Sequence, residues 1–406
     1  MHKLNPRKEA HVASMNRSLA ILGVICTLPL QVGCGASSNA ADGGSTGDGG
    51  SFPFTPSNVS LDGIDLSGVV DEDLSSDCDL DTEPAPTPGG TCLTNPVERI
   101  LTQSDGSRIH VLIVKSLRLE AAAHLTVNRP AGGLPLAIVA LGDMTLLGTI
   151  DVRAMGDQSY GGGFESTQNS QKGAGPGGGP AATGVANTTM GAGAGGGSYC
   201  GKGAQGALEA NATAPAGPAT APYGTPEIVP LTGGSSGGAG SFGAGAGGGA
   251  VQLVAFGQFS MGSGSYINVG GGGGQPAVSS NPGDNSGGGG SGGSILIEAT
   301  TAQIAGVLAA NGGGGGGVSA NGQDATPNTT GAPGGAMAGV GAGGTGAAGA
   351  NIDGTTPASV DPGPVGGGGG AAGRIRINTR SGSATLTSAT LSPSATTACV
   401  TQGQVK

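Results

Sequence analysis

Few residues in this chain have the type and spacing to do chemistry. Asp77, Asp79 and Asp81 stand at alternate positions, the D-x-D-x-D spacing of a calcium loop. The loop glycine is replaced by Thr82, and Pro88 stands where a bidentate glutamate belongs. A solvated acidic face is therefore the stronger reading, with calcium as the weaker one. His110 and His124 sit at polar steps of strand-like runs, which predicts surface or edge histidines rather than bases or ligands. Gly196 to Lys202 nearly spells a phosphate-binding loop, but Gly203 replaces the Ser or Thr and no strand precedes it. Asp143, Asp151 and Glu298 are the acids on the apolar rungs. They do not align into an acidic ladder, so no catalytic residue and no cofactor is expected.

The cysteines speak of compartment. Cys26 lies in the apolar part of an N-terminal targeting segment, 1–33, whose basic part holds Lys3, Arg7, Lys8 and Arg17. Met15 is an alternative start that would give a signal of ordinary length. Leu30-Gln31-Val32-Gly33-Cys34 resembles a bacterial lipobox, with Gln31 departing from its aliphatic pattern. That resemblance implies lipidation of Cys34 and a membrane partner through the anchor. The absence of Asp after Cys34 implies sorting to the outer membrane. Cys78, Cys92, Cys200 and Cys399 then remain, an even set in an exported chain. Three pairings are open. Cys78 and Cys92 flank a proline-rich turn and are expected to pair locally, leaving Cys200 for Cys399. Zinc is disfavoured, because no C-x-x-C and no nearby histidine accompanies them.

The elements that position these residues come from one repeated phrase. Ser294 to Gly317 reads as a short alternating strand, a polar step, a second apolar step and a glycine spool. Leu134 to Gly156 and Val251 to Gly271 repeat it, and a degenerate copy starts at Arg374. Ala140, Ala255 and Ala299 coincide on stacking, and Asp151 falls on Asn268 and Ala309. A unit this short cannot bury its own apolar face and needs a neighbour. The expected fold is therefore all-β: a short parallel β-solenoid with long glycine-rich inserts leaving one side. The expected organisation is a tether over 34–60, an acidic cysteine-containing segment over 61–108, the solenoid over 109–394 and a tail over 395–406. Inserts fall at about 156–249, 270–293 and 312–373. Arg374 and Arg376 should mark the terminal strand, and Pro393 its stop.

Within Leu117 to Ala154, the phrases PLAIVA (135–140) and GTIDV (148–152) resemble a group of glycine-rich exported proteins of myxobacteria and their relatives. The re-entry at Gly287 to Ala299 and Asp79-Leu80-Asp81-Thr82 after Cys78 are similar to that group as well. The resemblance implies an exported β-solenoid and transfers no catalytic residue.

The inserts supply most of the 89 glycines. Strict G-X-Y periodicity is missing, which excludes collagen. Flexible coil is the compositional default. The sharper expectation is that neighbouring inserts pack as extended, polyproline-II-like polyglycine strands, because only glycine lets such backbones approach closely. A net charge of −10 argues against a nucleic-acid partner. The expected function is a non-enzymatic envelope or surface protein, structural or adhesive, exported to the outer membrane or beyond. Surface glycans or other cells are its candidate partners. Tyr160, Phe164, Tyr199, Tyr223 and Phe242 are the bulky groups that would meet them. The alternatives are a solenoid enzyme acting on polysaccharide, a flexible spacer, and an ice-binding module, for which the rung threonines fall short of a ladder.

Overall fold

A computed structural model describes residues 52–82, 92–127, 133–185, 189–212, 215–277, 283–336, 341–359 and 364–406. The lipobox, Cys34, the targeting segment and most of the tether lie outside the described residues.

Short alternating runs build the molecule in layers, and no helix occurs among the described residues. The first layer holds β1 (Asp71–Leu74) and β2 (Cys78–Leu80). The chain then makes a hairpin of β3 (Val97–Thr102) and β4 (Arg108–Val114), followed by β5 (Ser116–Leu119) and β6 (His124–Val127). The third layer is β7 (Leu136–Ala140), β8 (Met144–Leu146) and β9 (Thr149–Asp151). A small hairpin, β10 (Thr183–Val185) and β11 (Thr189–Ala192), decorates the first insert. Then come β12 (Ala250–Met261) with β13 (Tyr266–Asn268), and β14 (Ser294–Ile304) with β15 (Val307–Ala309). The last are β16 (Arg374–Thr379), β17 (Thr390–Ser392) and β18 (Val400–Gln404).

Each layer adds to two sheets. The ten-stranded sheet runs β1-β5-β8-β12-β14-β16-β18, with β3, β4 and β7 joining beside β12. The six-stranded sheet runs β17-β15-β13-β9-β6-β2. Every pair in the two sheets is parallel except β3 with β4. Neither sheet closes into a barrel. Register keeps like on like: Ile138, Leu253, Ile297 and Ile377 form one column. Cys78, Leu125, Ile150, Ile267, Leu308 and Leu391 form another. Both columns are buried and belong to one apolar cluster. Each of these aliphatics contributes on the order of 2 kcal/mol by leaving water.

The outer face of the larger sheet is covered too, and four expectations are corrected. Ile109, Val111, Val139 and Val254 are buried there beneath Phe54, Val59, Leu61, Ile228 and Leu231. Phe52 stacks on Phe256 at 4.6 Å. Glu298, 1% exposed, accepts hydrogen bonds from Ser57 N and Oγ, Gln252 Nε2 and Asn378 Nδ2. The end of the predicted tether is thus fixed from Phe52 onward. The acidic segment is the first layer of the stack, because Glu72 and Leu74 are buried while Asp71 and Asp73 face water. The predicted tail carries β18, which pairs residue for residue with β16 from Ile375↔Val400 onward, so Pro393 interrupts the sheets without ending them. His110 is also buried rather than superficial. β4 is flanked by β3 and β7, and the Glu98 carboxylate lies 2.7 Å from its Nε2. Burial holds the imidazole below its ordinary pKa, against the pull of Glu98.

The glycine inserts are ordered into a lattice of their own. The amides of Gly287, Gly290 and Gly293 donate to Gln275, Gly272 and Val269. Those of Gly288 and Ser291 donate to Gly238 and Ser235, and those of Gly289 and Gly292 to Gly368 and Ala371. The carbonyls of Gly287 and Gly290 accept from Gly316 and Gly313, those of Gly288 and Ser291 from Gly245 and Gly248, and that of Gly289 from Gly197. All these bonds measure 2.8–3.0 Å. One segment therefore bonds six neighbours, and each neighbour is met every third residue. A backbone that returns to one side every three residues has the threefold turn of polyproline II. Residues 312–317 and 366–373 repeat the period.

Why glycine is required follows from what a Cβ would meet. At Gly247, Gly290 and Gly293 it would land on the carbonyl oxygens of Gly234, Ala246 and Gly249, closer than the 3.0 Å that real Cβ atoms keep. Each ordered glycine costs about 0.5–1 kcal/mol more than alanine would. A backbone hydrogen bond returns about 1 kcal/mol net. The lattice is thus near break-even alone and depends on the sheets, which segments 269–275, 287–293, 312–317 and 366–373 each join at one end. We expect the amides of Gly313 to Gly316 to exchange with deuterium as slowly as that of Ile297. Exchange at the rate of an unfolded peptide would show that the lattice does not persist in solution.

Candidate functional site

The chain's candidate site lies at the seam where the smaller sheet hands over to the inserts. Asp151 ends β9, in register with Asn268. Its Oδ1 accepts from the Arg153 amide at 3.1 Å, and its Oδ2 lies 3.4 Å from Arg153 Nε. With Thr126, Val127, Met155 and Tyr160 these two line a pocket of about 120 Å³. Burial raises the Asp151 pKa, and the Arg153 charge opposes that rise.

Beyond the turn from Met155 to Gln158 lies a second, polar pocket of about 280 Å³. Its side chains are Asp157, Gln275, Asn321, Gln323 and Asp324, drawn from three different inserts. Asp324 Oδ1 accepts from the amides of both Gly156 and Gly273 at 2.8 Å. Asp157 Oδ2 accepts from Gln275 Nε2 at 3.1 Å. Tyr160, a wall of the first pocket, has its phenol pushed up first by burial and then by Asp324 and Asp157. Nothing in the spacing announces Asp157 and Asp324 as partners. The one available signal is their rarity as charges inside nearly charge-free inserts.

The other anticipated residues are spread through the structure. Asp143 Oδ1 accepts from the Gln258 amide at 2.7 Å, a link between layers. Asp77 accepts from the His124 amide and Asp79 from Thr126 Oγ1, so both brace β6. Among the described residues no group of three His, Cys, Asp or Glu could hold a metal ion, so the weak calcium candidate Asp77, Asp79 and Asp81 is not gathered. His124 sits at the surface with Nδ1 2.7 Å from Thr149 Oγ1. The phosphate-loop lookalike spends its amides on the lattice: Gly196 donates to Ala204 and Gly197 to Gly289. Cysteines are bonded as Cys78–Cys92 and Cys200–Cys399.

The bulky insert residues do not form the expected display. Tyr160 and Tyr199 are buried, Phe164 and Tyr223 are half-buried, and only Phe242 is exposed. Tyr199 and Tyr223 pack at 4.6 Å, with the Arg374 guanidinium 5.7 Å from the Tyr199 ring centre. Arg374 also donates to the carbonyls of Tyr223 and Gly224. The cluster rivets the first insert to β16. Burial drives the Tyr199 phenol up to about 12 and Tyr223 well above its ordinary value. An unfolded tyrosine ionises near pH 10, so this contribution to stability is complete below about pH 10 and is lost as pH rises toward 12. Phenolate absorbance during an alkaline titration should therefore rise in steps, with these two tyrosines ionising last, together with unfolding. Normal ionisation of all four would contradict the packing.

Compared with known proteins, the chain matches no family model, no curated protein and no solved structure.

Proposed function

We propose that this chain is a non-enzymatic protein of the cell envelope or surface, structural or adhesive. In this reading the layered sheets are a short parallel β-solenoid, and the glycine lattice is the mass it displays. The observation that carries it is the six-neighbour bonding of residues 287–293. Such a lattice gives a stiff body with almost no charge and few large side chains. It suits a load-bearing or contacting surface and offers little to a reaction. The two disulfides fit an oxidising compartment outside the cytoplasm. No helix among the described residues is long and apolar enough to cross a membrane. Attachment to the outer membrane through lipid on Cys34 is part of the proposal.

The test uses the exported chain on intact cells. Antibody labelling should find it at the surface, and the purified chain should attach to cells or to isolated envelope glycans. Labelling only after lysis, with no attachment, would overturn the reading. A solenoid enzyme acting on polysaccharide is the second reading, favoured by two carboxylates in one pocket. Release of new reducing ends from envelope polysaccharide would decide for it.

A further inference from the structure

We propose that the pocket framed by Asp157, Gln275, Asn321, Gln323 and Asp324 binds a neutral saccharide; this rests on the adhesive reading above. Each of the five side chains ends in a planar carboxylate or amide. Such groups offer two polar atoms in one plane, matched to neighbouring hydroxyls on a sugar ring. No arginine, lysine or histidine lines the pocket, and two carboxylates do. A uronate, sulfate or phosphate would bring like charge against them, which disfavours an anionic sugar, and the planar amides suit neutral hydroxyls.

The two carboxylates are preorganised. One oxygen of Asp324 is held by amides from two inserts, and Asp157 is held by Gln275. Binding then orders only the exposed side chains of Asn321 and Gln323. Among the described residues Asp324 Oδ2 and the side-chain amides of Asn321 and Gln323 have no partner within the chain, so their capacity is open to a ligand. Gly273 and Gly322 make part of the wall, and bare backbone lets a ring come close. A Cβ on Gly273 would strike the Gly322 carbonyl, so this wall admits no side chain.

Saturation-transfer NMR on the intact exported chain tests this, with glucose, galactose, N-acetylglucosamine and their disaccharides as probes and glucuronate as the charged comparator. One set of samples contains a chelator and a matched set contains added calcium. At least one neutral sugar should receive transfer, glucuronate none. Gln323→Ala and Asn321→Ala, both at exposed positions, should weaken binding roughly tenfold each, with unchanged melting. The proposal falls if no neutral sugar responds at millimolar concentration, if the variants bind as well as the parent, if glucuronate is preferred, or if binding needs added calcium. Cell attachment that survives Gln323→Ala would leave the adhesive reading standing without this pocket. Absence of attachment by the parent chain would remove the adhesive reading itself.

Discussion

Gly290→Ala should destabilise the protein by about 3 kcal/mol or more, while Gly264→Ala should change stability by less than about 0.5 kcal/mol. Both replacements add one methyl group to a glycine, so composition and propensity treat them alike. The structure separates them. A Cβ on Gly290 lands on the Ala246 carbonyl, with the Gly245 oxygen also close by, whereas one on Gly264 meets nothing within 4 Å. Gly290 also donates to Gly272 and accepts from Gly313, so moving its backbone aside strains three inserts together. Relief by side-chain rotation is impossible, because the obstacle is backbone. Paired denaturant melts of the two variants measure the difference. Equal stabilities would mean that the inserts are loose and can yield to a methyl group.

The layered sheets were legible in the residues because their pattern is local. Alternation names the buried column, and the repeated phrase supplies the register: Ala140, Ala255 and Ala299 do pair, and Asn268 does sit between Asp151 and Ala309. Strands β1 and β18 were missed for a physical reason. β1 reads Asp-Glu-Asp-Leu, with buried Glu72 satisfied by the amides of Thr94 and Asn95, so its inward face is not marked by apolar residues. β18 reads Val-Thr-Gln-Gly-Gln and buries only Val400. The polar pocket was illegible because three inserts meet there. Polyglycine carries no periodic signal that says which segment lies beside which. The expectation that inserts pack together could be reached from steric reasoning, but the neighbour list could not.

Removing the Cys200–Cys399 bridge by Cys200→Ser with Cys399→Ser should cost about 5 kcal/mol, against about 3 kcal/mol for Cys78→Ser with Cys92→Ser. The difference follows from the spans closed, 199 residues against 14. Chain entropy is half of the argument, and placement is the other half. Cys200 follows Tyr199 in the aromatic rivet and donates its amide to Ala372 in the third insert. Cys399 immediately precedes β18, and its carbonyl accepts from the Ile375 amide. The bridge therefore ties the first insert, the third insert and the last strand at one point. β18 has little apolar surface of its own to hold it, so its amides should lose protection first in the long-span variant. In the short-span variant the loosening should stay near β2 and β6, where Cys78 packs on Leu125. Hydrogen exchange on both variants resolves the two patterns. Uniform loosening of the whole chain in each would mean that sheets and lattice unfold as one unit, and that the bridge acts through the unfolded chain alone.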